Sequence, residues 1–402
     1  MARPARGGAS YRAVLALPHA RNLFAAAMLA RLCYGLLGLP LLLALQQGTG
    51  SYAVAGTATG LSGLATALLG PLRARWVERR PPLLMVLACC YALLLTALAV
   101  ACAVRVPDPV AVGLAVLAGA CPPPVGPLMR TLWGRLAPDD AQRQAALSLD
   151  TVAESTVFAL GPVFGGLLVA ATSGPAVLLG CAALVLTGFG LLSAALRRSP
   201  TDVRAAAGSP KGTRSPLRIK GFAALLLPVL GAAAALSLCE IAIVAAWGTV
   251  TAGVLTTLFS VGGVLGGLAY GRREWPGSLA RRPLVPAAAG AACYALPALL
   301  YAAPAAGVAL LLAGACTDIL LITAYQLVDR LVPEGSRTEA GAWVNTAFNL
   351  GGALGAAAGG LLVERSGPSA AFAATALVLG ACTLAAALAT LRLAPRAEAP
   401  VN

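Results

Sequence analysis

The sequence predicts an all-α membrane protein of twelve transmembrane helices, built as two parallel-repeat six-helix bundles with both termini cytoplasmic. Three observations carry this: the scarcity of charge, the one-sided placement of the basic residues, and an internal repeat. Of 402 residues, 59% are hydrophobic and 11% charged, where a soluble chain carries about 25% charged residues. The charges cluster between apolar runs, and a helix needs about 20 such residues to cross the hydrocarbon core. Runs of that kind lie at 20–45, 51–72, 83–104, 109–130, 145–171 and 174–196. A polar, basic stretch at 197–220 follows. Six more runs lie at 222–246, 249–270, 283–303, 305–329, 340–363 and 368–391.

The net charge of +14 invites a nucleic-acid reading, but its distribution removes it. With the N-terminus set in the cytoplasm, 26 of the 29 Lys and Arg fall on that side. Arg105 and Arg365 lie opposite, and Arg31 sits inside the first span. This is the positive-inside distribution, so the basic excess is topology and no nucleic-acid partner is implied. No run of small residues marks a cleavage site after the first apolar stretch, which therefore reads as a retained signal anchor. Arg outnumbers Lys 27 to 2 in an Ala- and Gly-rich chain, a bias associated with GC-rich bacterial genomes. A monomer in a bacterial inner membrane is the expectation. The ten Cys fall in apolar spans without CxxC spacing and read as small hydrophobes at helix contacts. His19 is the sole histidine, so neither a histidine metal cluster nor a cofactor is expected.

The repeat organises the chain. Ala118-Gly119-Ala120-Cys121 recurs at Ala313-Gly314-Ala315-Cys316, and Arg135-Leu136-Ala137-Pro138 at Arg330-Leu331-Val332-Pro333, each displaced by 195. Cys90-Tyr91-Ala92-Leu93 and Arg79-Arg80-Pro81 return displaced by 203 and 202. Four matches in order define an N-terminal bundle at 1–196, a basic cytoplasmic linker at 197–220 and a C-terminal bundle at 221–402. Six spans per copy is an even number, so both copies share one orientation. The linker is expected to act as a tether that touches anionic headgroups.

Span five holds Gly161-Pro162-Val163-Phe164-Gly165-Gly166. Glycines allow a neighbouring helix to pack closely, and the proline bends its own helix. The loop after span two runs Gly70-Pro71-Leu72-Arg73-Ala74-Arg75-Trp76-Val77-Glu78. The first string resembles the GPxxGG antiporter motif of the major facilitator superfamily, and Gly70, Leu72 and Arg75 fit that family's loop motif. The chain thus looks like a drug/proton antiporter of this superfamily. In the family, the loop motif's Asp contributes to a cytoplasmic lock. Ala74 stands at that position here, with Glu78 as a stand-in. The family's arginine motif in helix four is not recognisable, because Pro122-Pro123-Pro124 interrupts that span.

A charge at the bilayer centre costs about 2.5–3.5 kcal/mol on insertion scales, so each one invites a role. Five qualify: Arg31 in span one, Asp150 and Glu154 in span five, Glu240 in span seven and Asp318 in span ten. The resemblance implies that spans one, four, seven and ten line a central cavity, which puts Arg31, Glu240 and Asp318 on the substrate path. Asp150, Glu154, Gly161 and Gly165 share one helical stripe. The displacement of 195 maps the two acids onto Asn345 and Asn349, so charge is confined to the first copy. Four acids against one arginine leave −3 if all ionise, which favours a raised pKa on at least one acid. The plainer readings are a solvated helix end for Asp150 and a structural partner of a loop arginine for Glu154. Arg31 is expected to pair with Glu240, or failing that with Asp318.

The function expected from these residues and the resemblance is secondary active transport: proton-coupled efflux of small hydrophobic or cationic organic molecules by alternating access. Proton-coupled import of a small metabolite, with Arg31 binding a substrate carboxylate, is the alternative. A non-transporting member of the same fold is a second. An integral-membrane enzyme is disfavoured by a single His and no acidic cluster beyond Asp139-Asp140.

Overall fold

The computed structural model describes residues 10–198, 215–273, 275, 278–279 and 281–393. Most of the predicted linker lies outside them. In the first half, α1 spans Tyr11–Ala16, α2 Ala20–Thr49, α3 Tyr52–Arg79, α4 Leu83–Val104, α5 Asp108–Ala120, α6 Val125–Leu136, α7 Asp140–Ala171 and α8 Gly174–Arg198. In the second, α9 spans Phe222–Gly271, α10 Leu284–Leu300, α11 Ala303–Leu331 and α12 Arg337–Leu393. Among the described residues, nine helices are long and apolar enough to cross a membrane, and α10 is a shorter apolar one. Two of the expected span junctions fall inside the long helices α9 and α12. Each is marked by one glycine, Gly248 at φ 83° and Gly367 at φ 78°, a conformation that costs glycine little and other residues much.

The chain divides into two compact units. The first is Met1–Thr213 with Leu268–Glu274 and Pro333–Thr346, and the second is Arg214–Gly267, Trp275–Val332 and Ala347–Asn402. The first unit takes in the end of α9 because its last carbonyls are clasped there. The Tyr11 hydroxyl donates to Leu268 O at 2.7 Å, and the Gln144 amide donates to Tyr270 O and Arg273 O at 2.7 and 2.6 Å. It takes in the start of α12 through Glu78, whose carboxylate accepts the backbone N–H of Thr338 at 3.0 Å and of Glu339 at 3.4 Å. Both contacts suit the helix polarity, with donors on a C-terminal end and an anion on an N-terminal one.

In the first unit, α2 packs against α8, α7, α3 and α4. Lipid tails are as apolar as the side chains, so close approach of small residues does the binding. A Cβ on Gly161 of α7 would strike the Gly35 backbone of α2, and one on Gly119 would strike Ser62 of α3. In the second unit, α11 lies against α9 through Gly314 and Gly262, and α12 against α9 through Gly351 and Gly355.

The three prolines at 122–124 divide the expected fourth span into α5 and α6. Proline offers no N–H, so Ala118, Gly119 and Ala120 lose their usual i+4 donors. Cys121 N–H serves Ala118 O at 3.1 Å. Arg73 reaches in from α3 to serve Gly119 O at 3.3 Å and Ala120 O at 2.9 Å through Nη1, and Thr66 O at 2.7 Å through Nη2. Tyr34 of α2 donates to Pro123 O at 2.8 Å. Arg73 is only 4% exposed. It is therefore a structural cap for a broken helix, where the topology count places it in a loop.

Candidate functional site

Four buried charges from three helices meet in the first unit. Arg31 projects from the middle of α2, Arg130 from α6, and Asp150 and Glu154 from α7, one turn apart. Arg31 engages Asp150 through both ends of its guanidinium, Nη1 to Oδ1 at 2.7 Å and Nη2 to Oδ2 at 2.8 Å. Its Nε lies 3.6 Å from Glu154 Oε1. Arg130 Nη2 is bonded to Glu154 Oε2, and Arg130 Nε lies 3.8 Å from Asp150 Oδ2. Each arginine therefore touches both carboxylates, and two positive charges balance two negative ones. Bidentate, charge-assisted geometry of this kind offsets the desolvation that burial imposes.

The four are unequally accessible. Asp150 is 0% exposed, Arg31 1%, Arg130 6% and Glu154 18%. Gly126, in the first turn of α6, leaves the room: a Cβ there would lie 3.0 Å from Glu154 Oε1 and 3.3 Å from Arg130 Nη1. Asn345, also in the first unit, accepts from Arg130 Nη1 at 3.2 Å. Of the four, Glu154 is the one in contact with its surroundings. Gaining a proton would discharge its pairing with Arg130 and leave the cluster at +1.

This arrangement corrects three expectations. Arg31 is held by Asp150 on its own unit, and Glu240 is not its partner. The balance is not four acids against one arginine, because Arg130, assigned above to a loop, neutralises the α7 carboxylates together with Arg31. Asp150 is not a solvated helix end. Glu154 does pair with an arginine assigned to a loop, as its plainer reading has it. The sequence offers a signal for Arg130: Leu132 and Trp133 carry the apolar character past the expected end at 130.

Comparison with known proteins gives the family. The sequence profile of the Major Facilitator Superfamily matches residues 23–311 and 241–402. The chain belongs to this superfamily. A search of curated protein sequences found no match. Among solved structures, the human organic anion transporter MFSD10 aligns with a TM-score of 0.68 at 17% identity, covering 94% of this chain and 100% of that one. A bacterial homologue of the iron transporter ferroportin aligns at 0.67 and 15%, covering 94% and 100%. The proton:xylose symporter XylE aligns at 0.67 and 14%, covering 93% and 96%. At such identities the likeness establishes the fold. As a superfamily member the chain is a multi-pass membrane transporter and not an enzyme.

The other predicted site residues of this superfamily member fall in several places. The antiporter-like string packs α7 on α2: a Cβ on Gly165 would lie 2.7 Å from Leu36 O, and one on Gly166 3.2 Å from Leu39. That contact is internal to the first unit. Pro162 is exposed on the α7 surface. Of the loop string, Leu72 is 40% exposed, Gly70 lies near Thr346 and Arg73, and Arg75 Nε sits 3.6 Å from Glu339 Oε2. Asp318 lies in the second unit, 5% exposed, with its carboxylate against Gly263 of α9. Glu240 lies on α9 of the same unit, with no cation within 4.0 Å among the described residues.

Proposed function

We propose that this chain is a proton-coupled secondary transporter that exports small hydrophobic or cationic organic molecules by alternating access. The twelve spans, the bundles at 1–196 and 221–402, the linker at 197–220, cytoplasmic termini, a monomeric state and a bacterial inner membrane belong to the same reading. The single observation that carries it is the neutral four-charge cluster with one partly exposed member, Glu154. Protonation there changes the charge balance of α2, α6 and α7 at once, and coupling alternating access to protons requires a charge event of that kind. Inward proton movement supplies about 2.3 kcal/mol per proton per 100 mV. Arg31 is already held by two carboxylates, which weighs against its binding a substrate acid and so against the importer. The resemblance of the α7 string to the antiporter motif supports the export direction.

The test is transport by the purified protein in liposomes under an imposed pH gradient, with a panel of organic cations. Glu154→Gln is expected to abolish gradient-driven accumulation while substrate exchange at equal pH persists. Gradient-driven accumulation that survives in Glu154→Gln would remove the coupling role.

A further inference from the structure

With the four-charge cluster of the first unit neutral, an intramembrane acid without a cation in reach among the described residues lies in the second. Glu240 has no cation within ion-pair distance among the described residues, where the arginines and lysines of that unit lie near helix ends or, for Arg365, beside the Gly367 break of α12. Beside it, on α10, is Tyr294. This side chain is 0% exposed, and its hydroxyl has no hydrogen-bond partner among the described residues. A buried hydroxyl left unpaired costs about 1–3 kcal/mol, and an unpaired carboxylate costs more. Trp247 and Tyr301, each seven residues further on, lie 5.8 Å apart, which sets Glu240 and Tyr294 at one level of neighbouring segments, and two unsatisfied groups so placed are explained by a ligand that satisfies both.

Seven residues further on, two turns along α9 and just past the end of α10, the character changes. Glu240 is followed by Trp247, and Tyr294 by Tyr301. These rings meet Phe372 of α12 in a cluster. Trp247 stacks on Phe372 with centroids 5.2 Å apart, Trp247 and Tyr301 are 5.8 Å apart, and Tyr301 meets Phe372 edge-on at 6.0 Å. Phe372 is fully buried, whereas Tyr301 is 44% exposed and leaves the cluster open on one side. At 1.5 Å per residue the polar and aromatic layers are separated by about 10 Å.

We infer that the second unit holds an elongated binding site for a primary ammonium with an apolar or aromatic tail. The ammonium pairs with Glu240 and donates a hydrogen bond to the Tyr294 oxygen, and the tail enters among Trp247, Tyr301 and Phe372. A carboxylate fixes the charge sign, while the second hydrogen-bond acceptor favours R–NH₃⁺ over quaternary cations. Aromatic faces suit both the tail and the cationic head in transit. This assignment rests on the transporter reading and gives it a substrate class.

The test is equilibrium binding to the full-length protein in nanodiscs without any gradient, so proton coupling does not enter. The probes are 2-phenylethylammonium, neutral 3-phenylpropanol and anionic 3-phenylpropanoate. The ammonium is expected to bind saturably and the other two at least about tenfold more weakly. Glu240→Gln is expected to weaken the ammonium by about ten- to a hundredfold, and Tyr294→Phe by about three- to tenfold. No saturable binding of the ammonium by the wild type overturns the assignment, as does equal binding of the alcohol or unchanged affinity in Glu240→Gln. Should Glu240→Gln fail to fold, the ranking of the three probes on the wild type decides.

Discussion

Arg31 and Asp150 illustrate how a buried charge is tolerated in this protein. Neither is more than 1% exposed, and each supplies the other with two short bonds. Removing one partner of such a pair strands the other, at a cost of about 3–5 kcal/mol, while removing both leaves no orphan. Arg31→Ala and Asp150→Ala are each expected to lower the melting temperature and the folded yield in detergent. The double variant is expected to recover part of the loss. Strictly additive losses in that cycle would show that the contact is not energetically coupled. Arg130 is the residue that pattern reading misplaced. The positive-inside argument assigns an arginine near the end of an apolar run to the loop, and it has no means of noticing that the chain continues as a helix to Leu136.

Among the helices, the α2–α7 contact is decided by missing side chains. The backbone of α7 at Gly161 and Gly165 approaches that of α2 at Gly35 and Leu36 so closely that a Cβ has no room. The same contact brings Arg31 opposite Asp150, since both pairs lie on the facing stripes. Gly165→Leu is therefore expected to prise α7 from α2 and lower folded yield by a large factor, with the ion pair lost as well. A variant that expresses and melts like the wild type, yet fails to transport, would instead place Gly165 at a moving contact. The α5–α6 break follows the same logic in reverse. Three prolines remove donors, and Arg73 and Tyr34 bring replacements from two other helices.

At the scale of the whole molecule, the first unit gathers segments from the far half of the chain, and Glu78 holds one of them. Burial pushes the Glu78 carboxyl up to about 7, against the two backbone N–H bonds from Thr338 and Glu339 that favour its charged form. The nearby Glu339 carboxylate adds to the rise, while Arg75 lies on Glu339 itself. A carboxyl whose pKa is higher when docked takes up protons on docking. The contact is thus strongest below the ordinary carboxyl range near 4.5, and weakens as pH rises through about 7. Hydrogen exchange at Thr338 and Glu339, corrected for the intrinsic pH effect, is expected to speed up between about pH 6 and 8. In Glu78→Gln the corrected rates should be flat. Identical pH profiles for the two proteins would show that Glu78 does not govern the contact.

Hydropathy read along the sequence was enough to locate the nine helices that are long and apolar enough to cross a membrane among the described residues, because lipid accepts or rejects each segment on its own composition. It placed α4 at 83–104 to the residue, and it set the α9 and α12 junctions within a few residues of Gly248 and Gly367. The charges that matter in α2 and α7 were legible too, since any charge in an apolar run stands out. Their partners were not. Arg31 meets Asp150 across 119 positions, and that meeting depends on which faces of α2 and α7 touch. Two helices in lipid select their faces by backbone approach at Gly35, Gly161 and Gly165. No period within one segment encodes which segment it will face, so the tertiary structure alone decided that the four-charge cluster is neutral and that Glu240 has no cation within ion-pair distance among the described residues.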